Sequence, residues 1–188
     1  MPKPPRHHVC PAWIGWLLAS PIRKLLQNPE EILAPHVTPG MRVLEVGPGM
    51  GFFTLPLARL VGPTGRVICV DIQEKMLRAL KRRAQRAGLA DRVEARICDE
   101  KSLRVNDLAL SIDLVLAFAV VHEIGDADRF FREARSVLKP HGRILFAEPK
   151  DHVSEEVFQE SLSAAEHHSL QKLTPLKIAR SRAALLEV

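Results

Sequence analysis

Five short apolar runs rich in branched side chains, residues 42–46, 66–70, 93–98, 112–117 and 143–147, recur along the chain with helical segments between them. The helical periodicity covers residues 53–60, 74–87 and 129–138. Strand, helix, strand in repetition leaves few architectures open. Consecutive parallel strands need a crossover, the crossover is right-handed, and its helices end up covering both faces of the sheet. Punctuation agrees with the pattern: Gly88 follows the second helix as a terminator, Asp126 or Asp128 offers an N-cap to the third, and Pro140 stands beyond its end. After Ala147 the rhythm changes. Ser154 caps a helix running to about Ser169, and strand-like runs at 170–174 and 183–188 follow, so a closing hairpin is predicted instead of another crossover. The predicted fold class is a doubly wound, Rossmann-like α/β sheet with helices on both faces.

A chain of 188 residues fits one domain with one large sheet. Residues 1–9, rich in proline and basic groups, predict no regular structure, and Trp13, Trp16, Leu17, Ile22, Leu25, Leu26, Ile32 and Leu33 suggest short helices broken at Pro21 and Pro29. Residues 1–35 are read as a helical cap over the active site, with Trp13 and Trp16 either lining an acceptor pocket or anchoring a helix, and 36–188 as the core. The apolar run at 13–19 is too short to span a bilayer, so a cytoplasmic protein is expected. Cys10, Cys69 and Cys98 are odd in number and never form CxxC, which argues against a disulfide framework and for a reducing compartment. His7, His8 and Cys10 match no closed zinc set, and no metal site is predicted. The formal charge of +5 concentrates in Arg78, Lys81, Arg82, Arg83 and Arg86, interleaved with Met76, Leu77, Leu80, Ala84 and Ala87. That spacing is an amphipathic helix with a solvated basic face, and no aromatic residue interrupts it to stack on bases.

The stretch VLEVGPGMGFFT, residues 43–54, ends the first strand on glycines at 47, 49 and 51. Such a loop brings backbone amides up to a ligand at the carboxyl edge of the sheet. The dinucleotide fingerprint is GxGxxG, which this spacing does not match, and Glu45 stands two residues before the first glycine. A pyrophosphate is disfavoured beside that carboxylate, whereas a ligand carrying a sulfonium and an ammonium is favoured. Asp71 closes the second strand 20 residues past Gly51, the separation at which an acid takes ribose hydroxyls. Asp99, after the third strand, adds an acceptor for the exocyclic amine of adenine, and Ile72 offers a flat apolar surface to the ring. Together these residues describe an adenosine site with an anionic, phosphate-averse mouth.

With these motifs the sequence resembles the class I S-adenosylmethionine-dependent methyltransferases over nearly its whole length. The resemblance rests on VLEVGPGMG at 43–51, VICVD at 67–71, ICDE at 97–100, DLVLAFAVVHE at 113–123 and LKPHGRILFAEP at 138–149. It is strongest to the small-molecule branch that includes quinone-biosynthesis C-methyltransferases and arsenite methyltransferases. It implies seven strands with the last antiparallel, S-adenosyl-L-methionine as cofactor, S-adenosyl-L-homocysteine as product and a small-molecule methyl acceptor. Carried onto this chain, the implied cofactor set is Glu45, Gly47, Gly49, Gly51, Phe52, Asp71, Ile72, Asp99, Glu100 and Ala117. The three scattered cysteines do not reproduce an arsenic-binding pattern.

Methyl transfer from a sulfonium demands alignment and exclusion of water, and a base only where the acceptor must lose a proton. Candidates lie beyond the fourth and fifth strands: Phe118, His122 and Glu123, then Glu148, Lys150 and His152. His122 is the expected base or substrate contact, with Glu123 orienting it, and the absence of tyrosine excludes a tyrosine base. The NPPY or DPPY motif of enzymes that methylate nucleic-acid amino groups is absent, so such acceptors are disfavoured. The alternatives carried forward are a non-catalytic cofactor-binding protein, an RNA methyltransferase and a nicotinamide-dependent oxidoreductase.

Overall fold

The computed structural model describes residues 27–188. The readings of His7, His8, Cys10, Trp13, Trp16 and Pro21, with the greater part of the cap, lie outside the described residues. The elements are α1 Pro29–Leu33, β1 Arg42–Val46, α2 Thr54–Leu60, β2 Arg66–Asp71, α3 Glu74–Arg86, β3 Val93–Ile97, β4 Ile112–Phe118, α4 Val121–Ile124, α5 Ala127–Val137, β5 Leu138–Pro149, α6 Glu155–His167, β6 Gln171–Pro175 and β7 Ser181–Glu187. The strands form one seven-stranded sheet in the order β3-β2-β1-β4-β5-β7-β6. β1 to β5 pair in parallel, whereas β7 lies antiparallel between β5 and β6, as the predicted closing hairpin requires. Strand order reverses between β1 and β4, and in open sheets of this kind the crevice above that reversal holds the ligand.

Local chemistry accounts for the element ends. α3 closes on a Schellman motif: the Leu89 amide donates to the Ala84 carbonyl at 2.9 Å and the Gly88 amide to Gln85 at 3.1 Å, with Gly88 at φ +67°. Of the two predicted caps for α5, Asp126 is the one used, accepting from the Arg129 amide at 2.9 Å, while Asp128 pairs with His168. Ser154 caps α6 as expected, but that helix stops at His167, where the Leu170 amide turns back to Ala165. Pro29, read as a helix breaker, instead begins α1. Its missing N–H costs nothing at the first helical position, and Asn28 caps the turn from the Glu30 amide at 3.2 Å. β5 begins five residues earlier than the apolar run suggested, because Leu138 already pairs with Ile112 before a register shift at residues 139–142 restores the ladder at Arg143.

The central strands are buried on both faces, so each strand alternates between two cores. Leu44, Val46, Ile68, Val70, Val115, Ala117, Ile144 and Phe146 meet α5 and α6. Val43, Val67, Cys69, Leu114, Leu116 and Leu145 meet α1, α2 and α3 through Leu33, Leu57, Leu77 and Leu80. On the first side Phe146 stacks on Phe158 at 5.0 Å and meets Phe131 edge-on at 5.4 Å. Among the described residues no helix is long and apolar enough to cross a membrane.

Candidate active site

The loop after β1 is built by two kinds of glycine. At Gly47 (φ +67°) a Cβ would lie 2.6 Å from Cγ2 of Val120, and at Gly51 (φ +88°) one would lie 2.5 Å from Cδ1 of Leu80. Both glycines therefore permit close packing, the first against the segment after β4 and the second against α3. A Cβ on Gly49 would meet nothing within 4 Å, which leaves open ground over the loop. Two outside groups hold the backbone in place. Arg83 on α3 donates to the Met50 carbonyl at 2.6 Å, and the Gly49 amide donates to Oδ2 of Asp71 at 3.3 Å. Arg83 thus departs from the solvated face expected for its stripe, whereas Arg78, Lys81, Arg82 and Arg86 are exposed.

Glu45 corrects the expected anionic mouth. Its side chain is only 3% exposed, because it shares the inward face of β1 with Val43 and stands opposite Cys69 in the parallel register. Thr54, the first residue of α2, donates its hydroxyl to Oε2 at 2.5 Å, and the Cys69 thiol lies 3.6 Å from the same oxygen. Burial raises the carboxyl pKa to about 7, against the opposing bonds from Thr54 and Cys69. Near neutral pH the group is therefore about half protonated instead of a fixed charge at the rim. Burial and the Glu45 charge push the Cys69 thiol well above its ordinary range, so it acts as a small buried donor, not a nucleophile. Sequence reasoning missed Thr54 and Cys69. Only the strand register, Glu45 against Cys69, would have linked them.

Asp71 occupies the predicted place at the end of β2. Oδ1 accepts from the Gln73 amide at 2.8 Å while Oδ2 takes the Gly49 amide, so one carboxylate joins the glycine loop to the entry of α3. Burial raises its pKa, and the two amides oppose that shift. Ile72 beside it is 38% exposed, an apolar side chain left at the rim. Phe52 is half-buried and meets Phe53 edge-on at 5.2 Å. Asp99 is exposed and engaged locally: Oδ1 accepts from the amides of Lys101 and Ser102, and Oδ2 meets the Arg104 guanidinium at 2.8 Å. Those bonds, the Lys101 amide first and then Arg104, hold its pKa below the ordinary value. Glu100 is exposed beside it. Ala117 is fully buried in the core beneath α5, so its side chain does not reach the rim.

A second polar group joins β5 to the start of α4. Glu148 on β5 is 1% exposed, and three nitrogens converge on its carboxylate. Oε1 accepts from the amides of Val121 at 2.8 Å and His122 at 3.2 Å, and Oε2 lies 2.5 Å from Nδ1 of His122. The His152 ring stands edge-on to His122 at 5.9 Å. Burial disfavours a charged His122, but the Glu148 bond and charge, with Glu123 adding its own, outweigh it and hold the pKa above the ordinary value. The sequence reading gave the orienting role to Glu123. The correction is Glu148, which only the pairing of β4 with β5 brings to the histidine; Glu123 contributes charge from within the same helix turn. Phe118 is buried against Phe53 at 4.4 Å, and Lys150 and His152 are exposed beyond β5. Among the described residues no group of three His, Cys, Asp or Glu side chains is placed to hold a metal ion.

Comparison with known proteins places this arrangement in context. A family model described as a methyltransferase domain matches residues 37–181. A ubiquinone/menaquinone biosynthesis C-methyltransferase from Pasteurella multocida is 34% identical over 112 residues, covering 60% of this chain and 41% of that protein. The corresponding protein of Shewanella frigidimarina is 30% identical over 123 residues, covering 64% and 48%. The chain thus spans less than half the length of these curated relatives. Among solved structures, a SAM-dependent methyltransferase from Aquifex aeolicus superposes with a TM-score of 0.85 at 22% identity, covering 96% of this chain and all of that one. Aeropyrum pernix fibrillarin, solved with natively bound S-adenosyl-L-methionine, gives 0.65 at 20% identity, covering 94% and 76%. These two likenesses establish the shared fold.

Proposed function

The chain belongs to the methyltransferase domain family, and we propose that it transfers the methyl group of S-adenosylmethionine to a small-molecule acceptor at the carboxyl edge of its sheet. One observation carries this reading: the Gly49 amide and Asp71 are hydrogen-bonded together beside open ground, at the point where strand order reverses. The residues there fit the cofactor. Asp71 has carboxylate lone pairs beyond the two amides it accepts and would take the ribose hydroxyls. Exposed Ile72 would lie against the adenine, and the backbone of the glycine loop would face the methionine part. Asp99 would reach the adenine amine on the oxygen that Arg104 now shares, and Glu100 and Phe52 would flank the site.

When bound, S-adenosylmethionine supplies an electrophilic methyl group on a sulfonium. The chain's own task is then to align the acceptor with that group and exclude water, which requires no covalent nucleophile. Its curated relatives carry names that describe C-methylation in quinone biosynthesis, which supports a small-molecule acceptor here. Calorimetric titration of S-adenosylhomocysteine, with NADH as the control, tests the cofactor assignment. Asp71→Ala is expected to weaken S-adenosylhomocysteine at least tenfold, about 1.4 kcal/mol, through loss of charge-assisted bonds. Unchanged affinity, or tighter binding of NADH, would count against it.

A further inference from the structure

On the reading that this is a methyl-transfer site, we propose that His122 and Glu148 form a base dyad and that the acceptor is a group which gives up a proton as it is methylated. That class includes hydroxyls and acidic carbons, the two acceptors whose proton a histidine base must take for the transfer to proceed. It leaves out thiolates, trivalent arsenic and tertiary amines, whose lone pairs need no base.

The geometry of Glu148 carries the inference. A carboxylate buried to 1% exposure grips one residue at two points, accepting the His122 backbone amide on Oε1 and meeting its ring Nδ1 on Oε2 at 2.5 Å. Two anchors on the same residue fix the ring's rotation as well as its position. A carboxylate oxygen at that distance from Nδ1 selects the tautomer with the proton on Nδ1, which leaves Nε2 as the acceptor. The ring is 21% exposed, so it is open to solvent on one side, unlike the carboxylate behind it. α4 places it directly after β4, and Val120, the residue before α4, packs on Gly47 of the cofactor loop. The helix that carries the base is thus packed against the glycine loop through Val120.

The proton and electron balance is closed. The acceptor's O–H or C–H proton passes to Nε2 while the acceptor's electron pair forms the bond to the methyl carbon. The former carbon–sulfur pair stays on sulfur as a neutral thioether. Glu148 stabilises the imidazolium that results, and water then takes its proton. His122 is the catalytic residue in this scheme and Glu148 a positioning residue. Among the described residues the other titratable groups near the ring are Glu123 on its own helix and His152 from the loop after β5.

The test uses the full chain in two measurements. Nitrogen-15 NMR of the imidazoles should show His122 protonated on Nδ1 and titrating above 6.5, and Glu148→Gln should lower that midpoint by about half a pH unit or more and mix the tautomers. Methyl-labelled S-adenosylmethionine, incubated with bacterial cell extract, should yield an O-methyl or C-methyl product. Its formation should fall about 100-fold or more in His122→Ala, and the acid limb of the wild-type rate profile should move to lower pH in Glu148→Gln. An S-methyl, arsenic-methyl or quaternary ammonium product overturns the proposal, as does a His122→Ala rate within about threefold of wild type. S-adenosylhomocysteine affinity is expected to hold in both variants. A wild-type chain that fails to bind it refutes the cofactor reading instead of the dyad.

Discussion

Replacing Glu45 with glutamine is expected to stabilise the ligand-free protein at pH 8 by roughly 3 kcal/mol and to change little at pH 4. The carboxyl titrates near 7 in the folded chain against an ordinary 4.5, because it is buried behind the glycine loop. Below about pH 4.5 it is neutral in both folded and unfolded chains and imposes no penalty. Between 4.5 and 7 the unfolded chain ionises while the folded one keeps its proton, so stability falls as pH rises. Above 7 both are ionised and the penalty stays at its full value, close to 3 kcal/mol at about 1.36 kcal/mol per pH unit. Glutamine keeps an oxygen for the Thr54 hydroxyl and never ionises. For a chain of this size the gain corresponds to a rise on the order of 6–12 °C in Tm. Melting curves of both proteins from pH 4 to 9 provide the measurement, and parallel curves would sink the prediction.

How far this was legible in the sequence depends on which contacts are local. β1 to β4 and the helices α2, α3, α5 and α6 followed from periodicity and caps, since Gly88, Asp126 and Ser154 act on backbone groups within a few residues of themselves, whereas the single turn of α4 was not predicted. The start of β5 was misplaced because the ladder from Leu138 to Ile112 tolerates a polar interruption at 139–142, and periodicity cannot see a register shift. The place of Asp71 at the end of β2 was readable, because it follows directly from where the strand stops. Glu45 was found but given the wrong character. Its burial depends on Thr54, nine residues on, and on Cys69, which only pairing of β1 with β2 brings opposite. Glu148 was named among the candidates, yet its role depends on a contact 26 residues away in sequence, with a histidine beyond the neighbouring strand. Local chemistry is written in the sequence, whereas the partner of a buried acid is written in strand order.

Two of the loop's glycines should fail in opposite ways when changed to alanine, which separates their packing and binding tasks. At Gly47 the new Cβ would overlap Val120 at 2.6 Å and would sit at φ +67°. The left-handed backbone costs about 1–2 kcal/mol for an L-residue and overpacking about 1–3 kcal/mol. Together these give an expected loss of about 2–5 kcal/mol in thermal or urea unfolding. Val120 immediately precedes α4, so relief of the overlap moves His122 with it. A misplacement of about 1 Å is expected to cost on the order of 100-fold in the rate of methyl transfer. At Gly49 the alanine methyl would meet nothing, and only the backbone term of about 1–2 kcal/mol applies. That methyl would instead fill the open ground proposed for the cofactor, so S-adenosylhomocysteine should bind Gly49→Ala at least about tenfold more weakly, near 1.4 kcal/mol, in the calorimeter. If Gly49→Ala binds like wild type while Gly47→Ala loses affinity but not rate, the cofactor lies elsewhere along the loop. In that case the coupling between loop and base through Val120 is wrong as well.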